Sequence, residues 1–221
     1  AAAAWAPICA MMLANCERYA RRHGYGLMAW TINVAAPRHV LWSKIPALVY
    51  ALREASTPFV WWQDADSLFV DLRRPLTWLQ PGSGKSLTIS GDYYCYINSG
   101  HLMFRRSEWS ALFLQKVWDI MPWPSPSAWP EQAAIIYYVS GEPPRCRRNA
   151  QKCCNNGTRP NRIDRNVDHR EYGELHAYHT DYAPGSTLII HFARNVRGVR
   201  LTREKLMRHY TVLANRSLET V

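Results

Sequence analysis

The chain has 221 residues, 48% of them hydrophobic and 20% charged, with 11 Gly and 14 Pro. Such values exclude collagen-like, low-complexity and mostly disordered classes, and the length allows one sizeable core or two small ones. A net charge of +10 suits an anionic partner: a nucleotide diphosphate, a nucleic acid or a membrane surface.

No uncharged apolar run reaches the roughly 18 to 20 residues of a membrane helix. The uncharged opening stretch, residues 1–16, reads either as the remnant of a targeting segment or as the start of the first helix. Residues 11–23 carry apolar side chains at helical spacing, with Gly24 as the stop. Residues 27–34 read as a strand. A second helix is predicted over 40–54, where Pro46 is tolerable because first-turn N–H groups lack an intrahelical partner. The run Phe59-Val60-Trp61-Trp62 has the pattern of a strand buried on both faces. It ends in Gln63-Asp64-Ala65-Asp66.

A turn is expected at 81–84, a strand at 102–104, and a helix at 107–121 with Ser107 as its cap. A Pro-rich stretch, 122–130, leads into a helix at 131–139. Residues 141–173 are polar and Arg-rich and read as a surface excursion. A last buried strand, 187–190, ends at His191, and a terminal helix covers 202–215. Alternating strands and helices predict a single α/β domain over 1–221, its mixed, mainly parallel sheet flanked by helices. In such sheets ligands collect beyond the carboxyl ends of strands, where Asp64, Asp66 and His191 stand.

Asp64 and Asp66 are two apart, so in an extended segment their carboxylates point the same way. They repel unless a cation sits beside them, and Mg²⁺ or Mn²⁺ suits carboxylate oxygen, with substrate phosphates filling the other positions. A bare Asp-x-Asp is more often a solvated turn; the apolar strand before it favours the functional reading here. His191 could complete the set, and Arg194 and Arg197 follow where guanidinium groups could neutralise a diphosphate. Asn98-Ser99-Gly100 precedes a strand and reads as a ligand approach or an ordinary turn. Glu131-Gln132 opens a helix, where an acid complements the helix dipole.

Six cysteines (9, 16, 95, 146, 153 and 154) show no zinc spacing and read as disulfides or buried thiols. Two sequons, at Asn156 and Asn215, fit a secretory lumen.

The stretches Trp42-Ser43-Lys44-Ile45-Pro46 and Phe59 to Ser67 together resemble the core of glycosyltransferase family 34. Further marks follow the family's order. They are Tyr19-Ala20-Arg21-Arg22-His23-Gly24-Tyr25, Asn98-Ser99-Gly100, Arg105-Arg106-Ser107-Glu108-Trp109-Ser110, Glu131-Gln132-Ala133-Ala134 and His191-Phe192. The resemblance spans roughly residues 15–195. It implies a GT-A-like, Rossmann-like fold and metal-dependent, retaining transfer of a hexosyl or xylosyl residue from a nucleotide-sugar, a UDP-sugar above all, to an oligo- or polysaccharide.

By position, the resemblance gives Asp64, Asp66 and His191 to Mn²⁺ or another divalent cation, and Lys44 and Ala65 to the donor. Asn98, Ser99, Gly100, Glu131 and Gln132 would surround the transferred sugar, with Gln132 and Glu131 as the catalytic pair. His176 would approach the acceptor, and Arg197 would stand where the family tends to have a lysine. Golgi residence on the lumenal side, with a type II membrane anchor outside this chain, is part of the same implication. The rival readings are a non-catalytic subunit of a transferase complex and a nucleic-acid binder built on the arginines between 145 and 165. That cluster lacks interleaved aromatics, so a solvated basic face is the better reading of it and no nucleic-acid partner is expected.

Overall fold

The apolar pattern predicted for the first helix extends further upstream than expected: α1 covers Ala2–His23, with Pro7 inside it and Gly24 (φ +68°) ending it. The computed structural model describes residues 2–92, 96–120, 129–141, 162–174, 176–192 and 202–216. They form four further helices, α2 (Lys44–Glu54), α3 (Glu108–Asp119), α4 (Pro130–Ser140) and α5 (Arg203–Arg216). The strands are β1 (Phe59–Gln63), β2 (Ser67–Phe69), β3 (Leu87–Asp92), β4 (Tyr96–Arg105), β5 (Val167–Arg170), β6 (His176–Tyr178) and β7 (Ile189–His191). None of the described helices is long and apolar enough to cross a membrane.

The chain divides into two compact units of interleaved segments: 1–29, 63–78 and 173–221 in one, 30–62 and 79–172 in the other. The second holds the sheet β1-β4-β3-β5, in which β3 runs antiparallel to β4 and parallel to β5. Its core joins Ile45 and Leu48 of α2, Phe113, Leu114 and Val117 of α3, and Ala134 to Ile136 of α4. They meet Leu87, Ile89, Ile97, Leu102 and Phe104 of the sheet. Ser107 caps α3 as expected, accepting from the Ser110 amide, and Gly141 ends α4 in the left-handed conformation (φ +70°).

The first unit is built on β2-β7-β6, with β2 antiparallel and β6 parallel to β7. Ile8, Leu68, Val70, Ile190, Phe192, Leu206 and Met207 form its core. Asn15 of α1 acts as a partner strand would: its Nδ2 donates to the Phe69 carbonyl (3.0 Å) and its Oδ1 accepts from the Phe69 amide (2.8 Å). A single side chain thus satisfies both polar backbone groups of a buried strand residue.

Several expectations need correction. Residues 27–34 form no strand; Asn33 holds that segment by accepting from the Ala35 amide and donating to the Arg38 carbonyl, which is turn chemistry. Strand β1 is half-buried throughout, not buried on both faces, because it lies at the edge of its sheet. Asn98-Ser99-Gly100 does not precede a strand but lies within β4. The predicted surface excursion contains β5, paired with β3 in the sheet; residues 142–161 of it, with the sequon at Asn156 and the arginines at 145, 147, 148 and 159, lie outside the described residues. Of the cysteines, Cys9 and Cys16 are described and both are thiols. Burial, followed by the nearby Glu17, pushes the Cys16 thiol up to about 12.

Two consequences can be measured. A Cβ on Gly91 would lie 2.8 Å from the Tyr172 amide nitrogen and 3.0 Å from the Arg170 carbonyl oxygen, both backbone atoms. Gly91→Ala should therefore destabilise the protein by about 1–3 kcal/mol in chemical unfolding; an unchanged midpoint would mean the backbone there yields freely. His179 is buried against Phe192, with no hydrogen-bond partner on either ring nitrogen. Burial holds its pKa below 6.5, against the opposing charge of Asp181. The unfolded chain thus takes up a proton before the folded one, so stability is full above the ordinary histidine pKa and falls as pH drops below it. His176, held low by burial and then by the charge of His191, acts in the same direction. The loss measured between about pH 7.5 and about pH 5.5 should shrink in His179→Leu without vanishing.

Candidate active site

Two sets of the predicted residues are assembled, one in each unit. In the first, β1 ends at Gln63, and the turn that follows is closed by the Ser67 hydroxyl donating to the Asp64 carbonyl (2.9 Å). Strand β2 then pairs with β7 in the register Ser67↔His191, and the Phe192 amide donates to the Asp66 carbonyl (2.7 Å). This pairing carries Asp66 Oδ1 to 3.3 Å from His191 Nε2. Asp66 Oδ2 lies 3.6 Å from a terminal nitrogen of Arg203, the first residue of α5. Burial alone would raise the Asp66 pKa, but the hydrogen bond from His191 and the charges of His191 and Arg203 outweigh it and hold the carboxyl below its ordinary value.

One ligand atom from each of Asp64, Asp66 and His191 can be chosen so that all three lie within 4.8 Å of one another. Ligands on opposite sides of a single Mg²⁺ stand about 4.2 Å apart. Small side-chain rotations therefore suffice for a common ion. Two carboxylates and an imidazole suit Mn²⁺ or a similar divalent cation, so the residues fit the group that the sequence implied. Ala65 lies half-buried between the two acids. His176 is fully buried in β6, its ring 5.3 Å from that of His191 and nearly perpendicular to it. Arg197 lies outside the described residues.

The second set centres on Ser99. In the antiparallel ladder Ile89 pairs with Leu102, but the next residue, Ser90, pairs with Asn98. Ser99, Gly100 and His101 are therefore extra residues in β4 relative to β3, a bulge that releases their backbone from the β3 ladder. The Ser99 amide and hydroxyl both reach Gln132 Oε1, at 3.0 and 3.3 Å. The Ser99 carbonyl and hydroxyl both accept from Lys44 Nζ, at 2.9 and 3.1 Å. The same ammonium lies 3.6 Å from Glu131 Oε1, in a pair whose side chains are each 4% exposed. Asn98 ties the bulge together, accepting from the Gly100 amide and donating to Asp92 Oδ2, both at 2.7 Å.

Sequence reasoning thus selected Lys44, Asn98, Ser99, Gly100, Glu131 and Gln132, and the fold brings them together. It missed Asp92 and Arg203. Asp92 ends a strand, β3, whose presence went unread; with β3 in place, its strand-end position would have marked it. Arg203 stands far along the chain from Asp66, and no local pattern links them.

Residues 5–79 match the galactosyl transferase GMA12/MNN10 family. Among curated proteins the chain is similar to probable xyloglucan 6-xylosyltransferase 1 of Oryza sativa, in both subspecies indica and japonica. Each is 28% identical over 104 residues, covering 43% of this chain and 23% of the relative. The chain therefore matches about a quarter of the length of these curated relatives. Among solved structures it is similar to a glycosyltransferase involved in the glycosylation of the major capsid of PBCV-1. That likeness has a TM-score of 0.63 at 16% identity and covers 92% of each chain. At such identity it is a likeness of fold, and it agrees with the mixed α/β, GT-A-like architecture expected.

The buried Lys44–Glu131 pair gives a direct check on the second set. Lys44→Met leaves a buried carboxylate without its ammonium and should lower unfolding free energy by about 3–5 kcal/mol. Adding Glu131→Gln should restore most of that loss. If the double variant is no better than the single one in urea unfolding, the ammonium supports the site through Ser99 alone.

Proposed function

We propose that this chain, a member of the galactosyl transferase GMA12/MNN10 family through residues 5–79, transfers a sugar from a nucleotide-sugar to a glycan acceptor with the help of a divalent cation. The observation that carries this reading is the convergence of Asp64, Asp66 and His191 in one small volume. Bound there, Mn²⁺ would supply Lewis-acid neutralisation of a leaving diphosphate. Asp66, already ionised below its usual range, is in the form such a ligand needs.

The Ser99 network supports a role for Gln132 at the transferred sugar. With Oε1 held by two donors from Ser99, the orientation of the amide is set and its Nε2 is the group that can donate to a developing charge. Glu131 is buried and paired with Lys44, which makes it a poor nucleophile and a good positioning counter-ion. Retention would then arise by front-face attack. The bond from the anomeric carbon to the phosphate oxygen breaks, the acceptor oxygen bonds on the same face, and its proton passes to the departing phosphate oxygen. Lys44 holds Ser99 and so keeps Gln132 in register for this step. His176, buried behind His191, serves here to orient that imidazole rather than to meet an acceptor.

The name of the rice relatives makes a UDP-xylose donor and a glucan acceptor the first pair to screen. A Golgi-lumenal setting, with an anchor outside these residues, belongs to the same proposal. Calorimetric titration of UDP should show binding that requires Mn²⁺ and is lost in Asp66→Ala. Gln132→Ala should reduce turnover by about 10²-fold or more while leaving donor affinity nearly unchanged. A parallel fall in both would reduce Gln132 to a donor-positioning role. Metal-dependent UDP binding without any donor turnover would favour the non-catalytic subunit reading.

A further inference from the structure

We propose that Arg203 is an internal counter-ion of the cation site, one that changes partner when cation and diphosphate arrive together. The inference rests on the reading of Asp64, Asp66 and His191 as cation ligands. It concerns a residue that the sequence did not single out.

Arg203 is held by three different parts of its unit. Its Nε donates to the Phe192 carbonyl at 2.7 Å, directly after β7. Its guanidinium carbon lies 4.9 Å from the ring centroid of Trp5 in α1. Its terminal nitrogen reaches Asp66 Oδ2 at 3.6 Å, too long for a good hydrogen bond. The first two contacts fix the base of the guanidinium, while the third is a charge contact without hydrogen-bond geometry, which another positive group beside Asp66 could replace. The two oxygens of Asp66 are thus divided between His191 and Arg203.

A divalent cation ligated by Asp66 would displace this charge contact and stand beside a fixed positive group. Cation binding alone is therefore opposed by Arg203. A diphosphate accompanying the cation reverses the sign, because its oxygens give the guanidinium a new anionic partner. One residue then makes cation and nucleotide depend on each other, and linkage requires that dependence to be reciprocal.

The experiment measures three quantities on the full chain and on Arg203→Met, whose straight stem keeps packing near Trp5. They are Mn²⁺ affinity without nucleotide, by electron paramagnetic resonance of the unbound ion; UDP affinity at saturating Mn²⁺, by calorimetry; and the thermal midpoint. In the variant Mn²⁺ alone should bind about tenfold more tightly and UDP about tenfold more weakly, so the coupling between the two falls. Arg203→Lys should lie between, since it keeps the charge and loses the bond to Phe192. Unchanged affinities would overturn the proposal. So would a joint fall of both with a lowered thermal midpoint, which would make Arg203 a structural tie of β7. Absence of Mn²⁺ binding by the unaltered protein would overturn the cation site itself and this inference with it, a result separable from binding that the variant leaves unmoved.

Discussion

The pairing of β2 with β7 is the constraint on which the cation site depends. Each strand has only three residues, and both are wholly buried. A slip of one position would turn every side chain to the opposite face and carry Asp66 away from His191. Two features oppose such a slip. Asn15 grips both polar backbone groups of Phe69 from α1, and the Phe192 amide reaches the Asp66 carbonyl just beyond the ladder. The acids of a flexible-looking Asp-Ala-Asp turn are thus located by hydrogen bonds made on either side of them.

The second set is located by an irregularity rather than by regular pairing. Three residues of β4 without partners on β3 bring one serine to the first turns of two helices. An unpaired lysine in such a place would be costly. Here two serine oxygens and a carboxylate surround its ammonium, and the ring of Trp62 stands 5.9 Å away. The bonds from Ser99 to Gln132 and from Lys44 to Ser99 restrict these side chains, which is what a positioned amide such as Gln132 requires.

Helices were the most legible part of the fold, because their signals are local. Ser107 before an apolar run, Gly24 at the stop of the first helix, and the spacing of Ile45, Leu48 and Leu52 all act within a few residues. Strands were legible only where the apolar run was continuous, as in β1 and β7. Strand β3 escaped because Thr88, Ser90 and Asp92 give it a polar look although all six residues are buried. Strand β5 escaped because Asp168, His169 and Arg170 read as surface. Conversely, Leu27, Met28, Trp30 and Ile32 looked like a strand yet are exposed, and no strand among the described residues pairs with them. Site residues were legible as types at expected intervals. What joins them, the bulge at Ser99 and the reach of Arg203, depends on tertiary pairing that no interval records.

The interleaving of the two units bears on how the molecule is made. All strands of the sheet β1-β4-β3-β5 have been synthesised by residue 172, so that sheet and its helices can close while the rest of the chain is still on the ribosome. The other sheet cannot: β2 must wait about 120 residues for β7. Contacts that span so much sequence are the slow ones in folding. Until β7 arrives, the edge of β2 that pairs with it lies open to other chains, although α1 already covers Phe69. The pair of acids and its histidine therefore come together only after the sheet β1-β4-β3-β5 can have closed, and the interval before β7 is the one in which a nascent chain most needs protection.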